Sequence, residues 1–190
     1  YLNISDKVKL ISADVLDSTS LHRALEISNP TEIYHLAAQS YPKTSFDAPL
    51  DTYETNISGT STLLEALKKY SKDSCIHVCA SSEVFGRVPK DKIPINEECS
   101  FHPASPYAIS KAGTDLLGRY YGEAFNMKTV VTRMFTHTGP RRGDVFAEST
   151  FAKQLAMIEA KLIPPVVKTG NLESLRTYAD VRDAVRAYHM

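Results

Sequence analysis

The chain has 190 residues, 43% of them hydrophobic and 23% charged, with 22 basic residues balanced by 22 acidic ones. That is enough apolar material for one globular domain with a real core. The balanced charge gives no basic face, so neither nucleic acid nor an anionic membrane is an expected partner. Three cysteines, Cys75, Cys79 and Cys99, are an odd and sparse set that suits a reducing, cytoplasmic setting rather than a disulfide framework. Cys75 and Cys79 flank a hydrophobic run and read as small buried apolar residues, so no metal site is expected. No apolar run approaches the ~20 residues that cross a bilayer.

In chain order, Val8–Asp14 reads as a short strand ending in an acidic turn. Ser18–Ser28 reads as a helix, with Ser18 or Thr19 as its cap, Leu21, Ala24, Leu25 and Ile27 as its apolar positions and Asn29-Pro30 as its stop. Glu32–Ala38 is the next strand, its end rich in small residues, and Thr52–Lys69 carries the longest helical pattern. Cys75–Ala80 reads as a third strand running into Ser81-Ser82-Glu83, and Lys128–Phe135 as a fourth after a helix that ends near Phe125. Alternating strands and helices predict an α/β fold, a Rossmann-like doubly wound parallel sheet with helices on both faces. Ligands in such sheets bind beyond the carboxyl ends of the strands. Asp14, the Ala37–Ser40 turn, Ser81–Glu83 and Thr136-His137 all follow expected strands, which predicts that Asp14, Ala37, Ser81 and Thr136 share one edge.

Ser105-Pro106-Tyr107-Ala108-Ile109-Ser110-Lys111 carries the strongest chemical signal. Proline suits the first turn of a helix and Ser105 suits its cap. A tyrosine and a lysine four residues apart share one helix face. The ammonium stabilises the phenolate and draws its pKa down from ~10, so the pair can exchange a proton with an alcohol or ketone. Alone, the pattern is short enough to be an ordinary aromatic and a surface lysine. No G-x-G-x-x-G turn, the usual backbone cradle for a pyrophosphate, occurs in the sequence. The chain opens close to a strand and closes inside an apparent helix, so the expectation is a dinucleotide-binding portion, residues 1–140, without its first glycine-rich unit. Residues 141–190 are then a smaller C-terminal part of the substrate-binding region with a returning helix.

The stretches His35-Leu36-Ala37-Ala38, Asn56-x-x-Gly59-Thr60, Ser81-Ser82-Glu83-Val84-Phe85-Gly86 and Ser105-Pro106-Tyr107-x-x-x-Lys111 together resemble extended short-chain dehydrogenase/reductases acting on nucleotide sugars. Thr136–Gly143 and Gly170-Asn171-Leu172-Glu173-x-x-Arg176 resemble the GDP-mannose 4,6-dehydratase branch. The resemblance implies a lyase that converts GDP-mannose to its 4-keto-6-deoxy form by internal hydride transfer, with NADP as cofactor and NAD as the alternative. It implies a cytoplasmic homo-oligomer, a dimer or a tetramer. It also implies roles: Ser81, Glu83, Tyr107 and Lys111 as catalytic residues, with Ser81 on the sugar's 4-oxygen and Glu83 as acid/base. Asp14, Val15, Leu36, Ala37, Ala38, Gln39, Ser40, His137 and Arg142 would contact the cofactor, as would Tyr107 and Lys111. Ser82, Thr136 and Arg176 would contact substrate. Two other readings stay open. Phe151-Ala152-Lys153-Gln154 resembles the related GDP-4-keto-6-deoxymannose reductases, and a nucleotide-sugar epimerase shares the same set. A dinucleotide-sensing protein that keeps the fold without the chemistry is the non-enzyme alternative.

Overall fold

The computed structural model describes residues 5–173 and 175–190. They form two compact units, the first ending at Met134 and the second spanning Phe135–Met190.

In the first unit, helix α1 (Ser18–Ser28) starts at Asp17, whose carboxylate accepts from the Thr19 N–H, and stops at Asn29 in the left-handed conformation. The cap is therefore the residue before the expected serine. Strand β1 (Glu32–His35) follows, then the short helices α2 (Pro42–Asp47) and α3 (Pro49–Tyr53), each opened by proline. A wider π-type turn, Glu54–Ser58, joins α3 to α4 (Gly59–Tyr70), so the expected single helix is a run of three pieces. Strand β2 (Cys75–Cys79) leads into a 3₁₀ turn, Ser82–Phe85. The long helix α5 (Pro106–Phe125) and strand β3 (Lys128–Thr132) complete the unit.

The strands form one parallel sheet in the order β1-β2-β3, with His35 opposite Val78 and Val78 opposite Val131. This is the α/β, Rossmann-like parallel sheet expected, but among the described residues α1, α4 and α5 cover one face of it rather than both, because each parallel crossover returns on the same side. One expected strand is not there: Val8–Asp14 adopts no strand, Leu10 is 84% exposed, and Asp14 lies in the turn before α1. A strand exists only as part of a ladder, and this segment has no ladder partner among the described residues. Its acidic end is held locally instead, with the Asp14 N–H donating to Ser20 Oγ.

The core lies between α1, α4, α5 and one face of the sheet. Leu64, Leu67, Ile76 and Val78 are fully buried there, each contributing on the order of 1.5–3 kcal/mol relative to exposure. Gly118 brings α5 close to the strands, since a Cβ at that position would lie 2.6 Å from Val131 Cγ2. The opposite face presents Tyr34 and Val130, both substantially exposed.

His35 belongs to the covered face. Thr60 Oγ1 spends its proton on the Asn56 carbonyl at 2.6 Å. The His35 Nε2 contact to Thr60 Oγ1 at 3.0 Å is therefore an N–H donation from a neutral ring. Burial first, and the Lys111 ammonium second, push this histidine down to about 4. The unfolded chain takes up the proton near 6.5, so the stability that His35 supports is present above pH 6.5 and lost as pH falls toward 4. Denaturant titrations at pH 6.5 and 4.5 are expected to differ by about 2–3 kcal/mol more in the parent than in His35→Gln. Equal differences in the two proteins would show that His35 is not the group that titrates.

In the second unit, β4 (His137–Thr138) pairs in parallel with β5 (Ala179–Asp180), with α6 (Ala147–Glu159) between them in sequence and α7 (Val181–His189) after them. Asp180 caps α7 by accepting from the Arg182 N–H. Among the described residues no helix is long and apolar enough to cross a membrane.

Candidate active site

Parallel register puts the carboxyl ends of β1, β2 and β3 on one edge. The pairing between the last two strands continues past their formal ends, with the Ala80 N–H donating to Thr132 O and the Ser82 N–H to Met134 O. Ser81 and the Glu83 turn are thereby presented at that edge, as is the Leu36–Ser40 segment after β1. Ser81 caps the turn by accepting from the Glu83 N–H at 3.2 Å. At its other end the turn closes on Gly86, which has φ +54 and leaves room for the His102 carbonyl where a Cβ would sit at 1.8 Å.

Helix α5 delivers Tyr107 and Lys111 to the same place. Its start is capped twice. Ser105 Oγ accepts from the Ala108 N–H at 3.0 Å, and Ser45 Oγ, on α2, accepts from the Tyr107 N–H at 3.1 Å. Ser45 is wholly buried and gives its own proton to the Pro42 carbonyl at 2.6 Å. Ser45→Ala leaves a helix-end N–H without an acceptor. It is expected to cost about 1–2 kcal/mol in denaturant unfolding, with Ser45→Thr keeping most of that stability; an unchanged midpoint in Ser45→Ala would remove this role.

The Tyr107 phenol hydrogen-bonds the Ser81 side chain, which draws its pKa down, but burial is the larger effect, and Cys79 and Glu83 also act upward. The result is a phenol pushed up to about 12, opposite to the lowering expected from the Tyr107–Lys111 spacing, because burial dominates. Glu83 lies two residues after Ser81, in the turn that Ser81 caps. Lys111 is buried, with its Nζ donating to the Cys79 carbonyl at 2.7 Å and lying 6.0 Å from the Tyr107 ring centre. Burial draws the ammonium's pKa down. Two hydroxyls, a buried cation and a carboxylate thus meet at the sheet edge. That group can grip one oxygen of a substrate and move a proton from it.

A second network ties the Leu36–Ser40 segment to the helix. The side-chain amide of Asn56, itself buried, accepts from the Gln39 N–H at 2.8 Å and donates to the Gln39 carbonyl at 3.0 Å. Its remaining N–H donates to Ser110 Oγ at 2.8 Å, and Ser110 donates in turn to the Tyr107 carbonyl at 2.7 Å. Gln39 is held further by Thr52 and by the Tyr41 N–H. Leu36, Ala37 and Ser40 are exposed and Ala38 is half-buried. Ala37, Ala38 and Ser40 carry small side chains on a segment tied to α5 through Gln39 and Asn56, and could lie along a dinucleotide placed over the strand ends.

The structure thus brings together Ser81, Glu83, Tyr107 and Lys111, and joins Gln39 to them through Asn56. Ser82 is half-buried beside them. Asp14 and Val15 lie in the turn before α1. One Asp14 oxygen accepts from the Leu16 N–H at 2.9 Å, and Val15 packs where a Cβ on Gly59 would sit. Thr136, His137, Arg142 and Arg176 belong to the second unit. There the Thr136 carbonyl accepts from the Ala179 N–H, and Arg176 is exposed. Arg142 donates to the His137 carbonyl at 2.9 Å, lies 3.8 Å over the Phe146 ring and forms an ion pair with Glu148 at 2.5 Å. Ser45 was passed over by motif reading, and Asn56 and Ser110 were quoted within motifs without a role. Asn56 had a signal, since an amide in a helix interior competes with the backbone unless it is bonded elsewhere; Ser45 had none.

The chain has relatives among known proteins in both sequence and fold. The family model described as GDP-mannose 4,6 dehydratase matches residues 1–190. A Drosophila melanogaster protein of that name is 36% identical over 186 residues, covering 97% of this chain and 46% of the relative. The GDP-6-deoxy-D-mannose reductase of Pseudomonas aeruginosa is 33% identical over 159 residues, covering 84% of this chain and 52% of the relative. A solved structure, RMD from Pseudomonas aeruginosa complexed with NADPH, superimposes with a TM-score of 0.89 at 33% identity, over 93% of this chain and 60% of that one. The chain spans about half the length of the curated relatives it matches.

Proposed function

This chain belongs to the GDP-mannose 4,6 dehydratase family, and on that premise we propose that the protein it comes from is a nucleotide-sugar 4,6-dehydratase acting on GDP-mannose, with NADP, or alternatively NAD, as cofactor. The observation that carries this reading is the carboxylate. Tyr107 with Ser81 and Lys111 suffices for oxidising and reducing an alcohol, but Glu83, two residues past Ser81 in the turn that Ser81 caps at the same sheet edge, adds the base that an elimination needs.

A nicotinamide held there would supply a hydride acceptor for C4 of the sugar and a hydride donor for C6. Tyr107 Oη takes the C4 hydroxyl proton while Ser81 Oγ orients that oxygen. The Lys111 ammonium, 6.0 Å from the Tyr107 ring centre, would favour a phenolate formed there against the burial that opposes it. A ketone at C4 acidifies the C5 proton, which Glu83 removes. The C5–H electron pair becomes the C5–C6 double bond, the C6–O bond breaks, and the hydroxide leaves as water with the proton from Glu83; when C6 takes up hydride, C5 takes a proton from solvent, and the proton held by Tyr107 returns to solvent. In this reading Leu36–Ser40, Asp14, Val15, His137 and Arg142 contact cofactor, and Ser82, Thr136 and Arg176 contact substrate. Arg142 would exchange its Glu148 pairing for a phosphate. Three free cysteines are in keeping with a cytoplasmic enzyme.

A second reading, a GDP-4-keto-6-deoxymannose reductase, is favoured by the Pseudomonas aeruginosa likenesses. One incubation separates the two. With GDP-mannose and catalytic NADP, the intact protein is expected to form 4-keto-6-deoxy product with no net change in cofactor. Failure to do so, with stoichiometric NADPH oxidation when a 4-keto-6-deoxy sugar is supplied, establishes the reductase.

A further inference from the structure

Close to the proton-transfer residues lies a charged knot that the chemistry above does not use. Asp115, on α5 one turn beyond Lys111, is wholly buried. Its Oδ1 accepts from Arg119 Nε at 2.8 Å and Arg133 Nη2 at 3.1 Å, and its Oδ2 accepts from Arg133 Nε at 2.6 Å. Arg133 follows β3 directly. Its Nη1 reaches the Glu97 carbonyl at 3.0 Å, and its guanidinium lies 4.9 Å from the Phe101 ring centre and 5.8 Å from that of Phe85. The two rings meet edge to face at 5.9 Å.

One planar cation therefore joins three parts of the first unit: the helix that carries Tyr107 and Lys111, the segment holding Glu97 and Phe101, and the turn that carries Glu83. Phe85 is the last residue of that turn, two positions after Glu83, and is buried. A buried ion pair is weak evidence of stability but a source of geometric definition. Only a guanidinium fork can hold a carboxylate through two nitrogens, a carbonyl through a third and rings on its faces. Tyr107 and Lys111 have other anchors, in Ser45, Ser105, Ser110 and the Cys79 carbonyl. The Glu83 turn is held by its Ser81 cap, by the bond from the His102 N–H to the Val84 carbonyl, and by Phe85 against the knot.

We propose that Arg133 is a positioning residue for Glu83: braced on Asp115, it seats Phe85 and Phe101 and so sets the Glu83 carboxylate for the elimination step, independently of hydride transfer. This rests on the reading of Glu83 as the C5 base.

The test uses the intact protein and measures two steps separately. One is reduction of enzyme-bound NADP by GDP-mannose in a single turnover, followed by absorbance. The other is uptake of deuterium at C5 from heavy water with release of 6-deoxy product, followed by NMR. Arg133→Lys keeps a cation for Asp115 but loses the fork. A misplacement of about 1 Å costs on the order of 10²-fold, so C5 exchange and product are expected to fall by about that factor while cofactor reduction stays within a few-fold. Phe101→Leu leaves the Asp115–Arg133 pair intact and is expected to impair the same step by about 10-fold, within the same bound. It carries the test if Arg133→Lys does not fold. Equal losses in both steps, or no loss in either, overturn the proposal. If the unaltered protein forms no 4-keto product, the dehydratase reading fails and takes the proposal with it. If the unaltered protein does form it and the variants lose both steps alike, only the proposal falls.

Discussion

Tyr107→Phe is expected to lower turnover of GDP-mannose by at least ~10²-fold, the usual cost of losing a general acid/base, with the fold intact. The ring remains, so its burial beside α5 is kept. The lost atom is Oη, which bonds Ser81 and is the one group here placed to take an alcohol proton. The reaction would also lose its pH response. With the phenol pushed up to about 12 by burial, the ligand-free protein holds this proton throughout the neutral range, and phenolate forms only where positive charge is added or a substrate oxygen shares the proton. The pH profile of the parent should therefore rise through a group that titrates lower in the cofactor complex than in the free protein. Tyr107→Phe should lack that limb. Circular dichroism and thermal unfolding close to the parent, together with near-normal turnover, would remove Tyr107 from the mechanism.

The residues that could be read ahead of the structure are those whose signals are local. Helix α5 begins at Pro106 and ends before Asn126 because a serine cap, an N1 proline and a left-handed asparagine are each written within a few residues of the event they cause. The same holds for Asn29 at the end of α1. Val8–Asp14 has an equally good local pattern and forms no strand, because a ladder partner is not a local property. The break of the 49–70 run into α3, a π-type turn and α4 follows from Asn56. Its carbonyl is shared by the Thr60 and Thr114 hydroxyls, and its side chain is committed to Gln39 and Ser110. No periodicity reports such commitments. In the site, the spacing of Tyr107 and Lys111 and the position of Ser81–Glu83 after a strand were legible locally, while the roles of Ser81 and Glu83 came from the family resemblance. Their supports were not legible. Ser45 reaches Tyr107 across 62 residues, and Arg133 reaches Asp115 from another element. Serine and arginine are too common for either to announce its partner.

Glu83→Gln separates dehydration from simple redox chemistry. Glutamine keeps the size of the side chain in the Ser82–Phe85 turn, whose backbone is held by the Ser81 cap and by the bond from the His102 N–H to the Val84 carbonyl. What it loses is the basic oxygen. If the carboxylate removes the C5 proton, oxidation at C4 does not need it and elimination does. The variant is then expected to bind cofactor and GDP-mannose, to form reduced cofactor in a single turnover, and to stall there. Deuterium uptake at C5 in heavy water and formation of 6-deoxy product should both fall by ~10²-fold or more. One further change is expected. The carboxylate raises the Tyr107 pKa, so its neutralisation should shift the tyrosine-dependent limb of the single-turnover pH profile downward, making the first step slightly easier as the second is lost. A uniform loss of both steps would mean that Glu83 supports the fold of its turn. Unchanged C5 exchange with normal product would assign the base elsewhere, and the reductase reading would then be the stronger one.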